Sequence, residues 1–508
     1  MKTCLMYPDR DFDTASVRAG LAERFAQDIE LDVLIAAAAG SDRLIRTVMA
    51  AVCAEAWTND STTVRYRQGI LKDCLANPEL VRRLYAMAGE PFGRERSWDF
   101  SLYGHEPSAM VGSAVRTLQH AFALLRRLRD TCLAHADRFA STGLQQLLVM
   151  LRRDLDDTYL AAVADDLNSL TFGAGVLLSA HVGGGGKAAG LVLRKPQPRD
   201  MSWMQYLPAI GVKSYTLQLQ PRDDAGAQAF SELQNRGLGQ ISDAIYRSAE
   251  HVLGFLKALR DELAFYVGCL NLKDRLDGIG ESTCFPEVSD APRYFRCRDL
   301  RDTCLSLTLG CRAVGNDVDA GDRPLVIITG ANRGGKSTFL RSVGVAQLML
   351  QCGLFVTAEQ FSSSLRSGLF THYKRQEDRS MRSGKFDEEL VRMSEIADHI
   401  RPGALVLFNE SFAATHEREG AEIARQVVSA LLDSGVTVFF VTHMYELARV
   451  FFDDDRVLFL RADPDPGGTR TFRLHPARPL PRSFGIDLYR QIFGPEEEAH
   501  DQPARLSG

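Results

Sequence analysis

The chain has 508 residues, a formal net charge of −5 and a sequence pI of about 6.2. That length accommodates roughly two to four domains and a large core, and it carries no global positive field of the kind that marks a nucleic-acid-binding protein. Any DNA or RNA surface has to be a local patch.

Ten cysteines are scattered without a C-x-x-C pair, which suggests a reduced, cytoplasmic protein. Cys297, Cys304 and Cys311 recur at a constant spacing, but no histidine pair accompanies them and zinc is not expected. The N-terminus lacks the apolar run of a signal peptide. No stretch of about 18 apolar residues occurs, so no membrane span is expected.

The first third has helical periodicity. Residues 14–90 alternate apolar clusters with short breaks: Val17, Leu21 and Phe25, then 31–38, then 44–57. Over 109–135, Val115, Leu118, Phe122, Leu125, Leu128 and Cys132 step by three or four, which is one apolar stripe of a long helix. Arg116, Arg126, Arg127 and Arg129 decorate the same segment. They read as a solvated face, with a phosphate-contacting patch as the alternative.

A mixed region follows. Residues 170–182 and 190–193 are short β-like runs around Gly-Gly-Gly-Gly-Lys at 183–187. This glycine–lysine cluster is not a phosphate loop: His181 and Ala188 stand where glycine and a hydroxyl residue are needed, so a flexible hairpin tip is expected. Residues 215–219 suggest another strand. From Ala227 a very long helix is predicted, with Leu238, Ile241, Ile245, Ala249, Val252, Leu256, Leu259, Leu263 and Val267 on one stripe. Such a rod could transmit motion or simply pack in a bundle. Residues 278–292 break the pattern and read as a linker.

Residues 325–338 read Leu-Val-Ile-Ile-Thr-Gly-Ala-Asn-Arg-Gly-Gly-Lys-Ser-Thr. The apolar start predicts a buried parallel strand, and 330–337 fits the phosphate-binding pattern G-x-x-x-x-G-K-[ST]. A helix is predicted over 339–350. Glycines let backbone N–H groups approach phosphates, and the helix N-terminus favours negative charge. Lys336 is expected to reach the β- and γ-phosphates and the Ser337 hydroxyl to ligate Mg²⁺.

Residues 404–410, Ala-Leu-Val-Leu-Phe-Asn-Glu, predict a second strand ending in two polar side chains. Glu410 is the expected general base for the attacking water. Asn409 stands on the metal side, where it offers an amide oxygen but no charge, so slow turnover is expected. A third strand over 436–443 ends at His443, placed to sense the γ-phosphate.

These segments resemble the nucleotide-binding domain of the MutS DNA mismatch-repair family. The resemblance rests on 330–338, on Asn-Glu-Ser-Phe-Ala-Ala-Thr-His-Glu-Arg-Glu-Gly at 409–420 and on Thr-His-Met-Tyr-Glu-Leu at 442–447. Segments 314–317, 383–390 and 483–487 add to it. It covers 290–494 firmly and 14–290 more loosely.

The resemblance implies an α/β P-loop ATPase domain of ABC type over 290–494. A mainly α-helical core and lever region over 1–289 precedes it, with a small β insert near 170–220, and 495–508 forms a disordered tail. It implies ATP and Mg²⁺ as cofactors and ATP hydrolysis in a homodimer with composite sites. The residues it places at the nucleotide are Gly330, Asn332, Gly334, Gly335, Lys336, Ser337, Thr338 and Asn409. Thr415, with Ser411 as a further matching position, would reach the partner's γ-phosphate. DNA and other repair proteins are the implied partners.

Departures from the family pattern are Ala331 for proline, Asn409 for aspartate, Phe-Ala-Ala at 412–414 for Gly-Arg-Gly and Ala313 for an aromatic that stacks on adenine. The Phe-x-Glu mismatch-reading motif does not occur in the first 100 residues. Two readings follow from the resemblance: an ATP-dependent DNA-binding protein, or a nucleotide-switched interaction protein without mismatch recognition. A third, an ABC-type ATPase serving a transporter, fits residues 442–447 and the long helix less well.

Overall fold

The computed structural model describes residues 1–14, 22–90, 107–171, 177–186, 188–194, 220, 223–374, 384–464 and 470–481. The expected strand at 215–219, the segment 483–487 and the tail lie outside the described residues. The chain forms two compact units. One comprises 1–12 and 73–264, the other 13–72 and 265–508.

The helices α1 (Ala22–Asp28), α2 (Leu31–Ala39), α3 (Arg43–Ala54) and α4 (Ser61–Ala76) come first. Asp42 caps α3 by accepting from the Leu44 and Ile45 N–H groups, and Ile45, Val48, Met49 and Val52 form its buried stripe. The units do not follow the sequence boundary near 290, because residues 13–72 fold with the nucleotide-loop half. Asn59 Nδ2 donates to the Gln351 carbonyl at 2.9 Å, and Gln351 Nε2 donates to the Ala56 carbonyl at 3.2 Å. Arg341 pairs with Glu30, and Arg392 with Asp28. Periodicity locates a helix but does not say which distant surface it covers.

The first unit holds α5 (Pro78–Ala88), α6 (Pro107–Leu133), α7 (Thr142–Asp154), α8 (Asp157–Ser169) and most of α9 (Asp224–Gly278). On α6, Val115, Leu118, Leu125, Leu128 and Cys132 are buried as the stripe requires. Arg129 departs from the solvated-face expectation. It is buried and donates to the Leu155 carbonyl at 2.6 Å, to Asp130 and to Asp157. Its role is structural, since its donors already have partners.

Strands β1 (Leu178–Val182) and β2 (Ala188–Leu193) form an antiparallel hairpin with Gly184–Gly186 at its turn, so the first strand is shorter than the sequence suggested. The N-terminal segment is tied to α9 within this unit: Glu262, fully buried, accepts from Leu5 N and Phe12 N, each at 2.7 Å. Leu5, Met6, Tyr7 and Phe12 are buried with it.

The second unit contains two sheets. The four-stranded one is built from β3 (Glu287–Val288), β4 (Phe295–Leu300), β5 (Asn316–Gly321) and, later in the chain, a strand at Gln360–Ser363, in the order β3, Gln360–Ser363, β4, β5. Helix α10 (Thr303–Leu309) lies between β4 and β5 in sequence. The expected linker at 278–292 is therefore corrected. Cys284 bridges to Val356, β3 pairs with Gln360–Ser363, and buried Glu281 holds buried Arg301 at 3.0 Å. Two-residue pairings leave no periodic signature in sequence.

The six-stranded sheet uses β6 (Leu325–Gly330), which precedes β7 (Gln360–Ser363) in the chain, then β8 (Leu369–Tyr373), β9 (Leu405–Asn409), β10 (Thr437–Val441), β11 (Val457–Pro464) and β12 (Arg470–Pro476). Its order is β12-β11-β6-β10-β9-β8. All pairs are parallel except β11 with β12. Helices α11 (Lys336–Cys352), α12 (Lys385–His399), α13 (Glu417–Asp433) and α14 (Tyr445–Val450) connect the strands. Burial on both faces explains the unbroken apolar runs of β6, β9 and β10. Phe408 and Phe440 stack across neighbouring strands at 4.9 Å in that core.

Candidate functional site

The parallel registers bring several strand ends to one level. Val441 pairs with both Ile328 and Asn409, and Asn409 pairs with Tyr373. Backbone bonds continue one residue further: Thr442 N donates to the Ile328 carbonyl at 3.0 Å, Glu410 N to the Val441 carbonyl at 2.9 Å and Lys374 N to the Asn409 carbonyl at 3.0 Å. Side chains just beyond β6, β10, β9 and β8 therefore share one edge. The carboxyl edge of a parallel sheet is where α/β proteins hold ligands.

The loop after β6 is shaped by its glycines. Gly330 has φ +117°, and a Cβ there would lie 2.3 Å from the Ala462 carbonyl oxygen and 2.6 Å from Ala462 N on β11. Gly335 has φ +89° and approaches the Phe472 backbone of β12. Gly334 is buried beneath the loop, with Asn332 and Arg333 exposed above it. Helix α11 begins at Lys336, earlier than the apolar pattern suggested, so the N–H groups of Lys336, Ser337 and Thr338 belong to its first turn. We expect Gly330→Ala to destabilise the second unit by about 2–4 kcal/mol, combining positive-φ strain with overpacking against β11. A variant that unfolds thermally with the parent protein would contradict this.

Lys336 is buried, with Nζ donating to the Gly330 carbonyl at 3.0 Å and the Ala331 carbonyl at 2.8 Å. Burial pulls its amine down to about 8, and the Glu410 carboxylate opposes that effect. The Ser337 hydroxyl meets Asn409 Oδ1 at 2.9 Å, which places two neutral oxygens side by side. Hard divalent cations take such oxygens together with phosphate oxygens and water, so Ser337 and Asn409 fit Mg²⁺ brought in by a nucleotide. Among the described residues no group of three or more His, Cys, Asp or Glu could hold a metal alone.

Glu410 and His443 meet across the β9–β10 edge, Nε2 to Oε1 at 2.9 Å, and both are partly exposed. The His443 hydrogen bond holds the Glu410 carboxyl below its ordinary value, with the fields of Lys336 and Lys374 adding to it and burial opposing it. Glu410 has φ +55° and Phe412 φ +61°, a strained pair of non-glycine residues of the kind that clusters at functional sites.

Two side chains that sequence reasoning did not place at the site support this turn, and a third stands beside it. Glu389 of α12 accepts from Phe412 N at 2.7 Å. His372 of β8 stacks on Phe412 at 5.2 Å and meets the Ser411 hydroxyl at 2.7 Å and the Glu389 carbonyl at 2.9 Å. A carbonyl only accepts, so Nε2 carries the His372 proton, and the single proton of the Ser411 hydroxyl is shared between Nδ1 and the His372 carbonyl, which lies 2.5 Å away. Burial lowers His372 to about 4, which keeps the ring neutral. Ser411 is buried and committed to His372, whereas Thr415 is accessible and donates to Glu419 at 2.8 Å. The third missed feature is Lys374, which follows a strand whose polar Thr371 and His372 hide it from an apolar-run search.

Thr329, Gly330, Asn332, Thr415 and His443 share a cavity of about 510 Å³. Beside the loop, Asn316 ties β5 to β12 by accepting from Leu474 N at 2.7 Å and donating to the Phe472 carbonyl at 3.3 Å. Ala313 is buried.

A parallel sheet with a glycine loop at its edge and a helix starting at the loop lysine defines a P-loop protein of the α/β class. Residues 326–501 match the family model of MutS domain V, and residues 59–279 match that of the MutS2 N-terminal domain. The chain belongs to the MutS family.

Over 222 residues it is 32% identical to the DNA mismatch repair protein MutS of Chloroflexus aurantiacus, covering 42% of this chain and 23% of that protein. It is 26% identical over 270 residues to the DNA mismatch repair protein MutS of Leptospira interrogans, covering 49% and 31%. It is 32% identical over 193 residues to the Endonuclease MutS2 of Carboxydothermus hydrogenoformans, covering 36% and 25%. The alignments thus span between 23% and 31% of these relatives' own lengths. No helix among the described residues is long and apolar enough to cross a membrane.

Proposed function

We propose that the chain binds ATP with Mg²⁺ and hydrolyses it slowly in composite sites of a homodimer, as an ATP-dependent DNA-binding protein of mismatch repair or related DNA maintenance. The observation that carries this reading is the shared strand edge, where the glycine loop, Ser337 on Asn409 and Glu410 on His443 converge. Lys336 leaves the Gly330 and Ala331 carbonyls to bind the β- and γ-phosphates. Gly330, Asn332, Gly334, Gly335 and Thr338 line or shape the phosphate cradle. Ser337 and Asn409 would hold Mg²⁺, which when bound offsets charge on the β- and γ-phosphate oxygens.

Glu410 accepts a hydrogen bond from the attacking water and orients it in line with the γ-phosphorus. His443 donates to Glu410 and fixes its rotamer. Thr415 reaches the γ-phosphate of the partner's nucleotide. The neutral Asn409 supports the metal less strongly than a carboxylate would, which favours slow turnover.

The test is ATP hydrolysis measured alone, with homoduplex and with mismatched duplex. Stimulation by either duplex supports the DNA-binding reading, and a preference for the mismatch assigns it to repair. ATP binding without any response to DNA favours the nucleotide-switched interaction protein. Absence of ATP binding would overturn both.

A further inference from the structure

Outside the motif residues, one charged side chain stands at the same sheet edge with no ion-pair partner among the described residues. Lys374 follows β8 directly, is exposed, and lies level with Glu410 through the Tyr373–Asn409 register and its own N–H bond to the Asn409 carbonyl. We propose that Lys374 is a second phosphate-binding cation, specific for the terminal phosphate of a bound nucleoside triphosphate. This rests on the nucleotide reading above and extends it to a residue that the phosphate-loop pattern does not contain.

The argument is one of charge placement. Glu410 must stand beside the γ-phosphate to orient water, yet a carboxylate there repels the phosphate. Lys336 offsets part of that repulsion from the β6 side. Among the described residues, the titratable groups on the β8 side of Glu410 and its turn are neutral His372, Glu389, Lys374 and buried Arg392.

Lys374 is the exposed cation on that flank among the described residues, and its field reaches both carboxylates: it lowers the proton affinity of Glu410 and counters the burial of Glu389. A long ammonium side chain without an ion-pair partner among the described residues can take a phosphate oxygen without breaking a contact seen there. Arg392, the other cation of this flank, is buried and committed to Asp28 and to the Tyr373 carbonyl at 2.9 Å, so it cannot substitute.

Selectivity between ATP and ADP separates this role from a structural one. With a fluorescent ATP analogue and its ADP counterpart, in Mg²⁺, Lys374→Met should weaken triphosphate binding roughly tenfold, the scale of one lost charge-assisted contact, and leave diphosphate binding unchanged. Lys374→Arg should restore most of the triphosphate affinity. Equal affinities of Lys374→Met and the parent for the triphosphate would overturn the proposal, as would parallel losses for both nucleotides. If the parent itself binds neither analogue, the nucleotide reading fails instead, so the two failures are distinguishable.

Discussion

Lys336→Ala is expected to abolish nucleotide binding, raising the Kd for ATP by at least about a hundredfold while the apoprotein unfolds at nearly the parent temperature. The binding loss follows from removing a buried cation that faces several phosphate oxygens, a truncation that costs about 2–5 kcal/mol. The small stability effect follows from the state of Lys336 without ligand. Its amine is buried and destabilised by that burial, which offsets much of what its contacts with the Gly330 and Ala331 carbonyls contribute. Calorimetric titration with ATP and thermal unfolding of the same sample check both halves. Normal ATP affinity in the variant would remove the site.

The same lysine gives the site a pH dependence. With its value lowered to about 8, the free site keeps its cation below that pH and loses it above. A bound triphosphate favours the charged amine, so binding takes up a proton above pH 8 and affinity falls as the pH rises. Titrations of the parent protein at pH 7 and pH 9 should show weaker binding at the higher pH, and equal affinity at both would contradict this.

The sequence made the nucleotide edge legible because it is local. Leu325–Ile328 is a continuous apolar run, and the loop beyond it carries Gly330 and Gly335, whose positive φ angles the structure requires, while polar residues stand at or just after the ends of β9 and β10. What stayed hidden depends on register between distant segments. Lys374 gains meaning only when β8 pairs with β9, and His372 only when the turn after Glu410 folds onto it.

Arg129 gave the opposite error. As one of several arginines on a helix it reads as solvated, but Asp157 at the start of the next helix but one buries and pairs it. The supposed linker at 278–292 misled because its contacts, Cys284 with Val356 and Glu281 with Arg301, are single pairings to residues elsewhere in the chain.

Glu410→Ala should separate binding from chemistry. Removing a general base lowers hydrolysis by about 10²–10⁴-fold, while the loss of a carboxylate beside the γ-phosphate leaves ATP affinity unchanged or improves it. The variant should therefore accumulate a long-lived ATP complex, detectable as nucleotide that stays bound through a desalting column.

The backbone should tolerate the change. Glu410 and alanine face the same cost at φ +55°, and the turn is held by contacts that do not use the Glu410 side chain, among them Phe412 N to Glu389 and Ser411 to His372. The lost partner of His443 is exposed to water, so no unsatisfied buried group is left behind. Turnover equal to that of the parent would take Glu410 out of the hydrolytic role. Because Asn409 would still sit on Ser337 in the variant, that outcome would leave a nucleotide-holding edge whose base lies elsewhere.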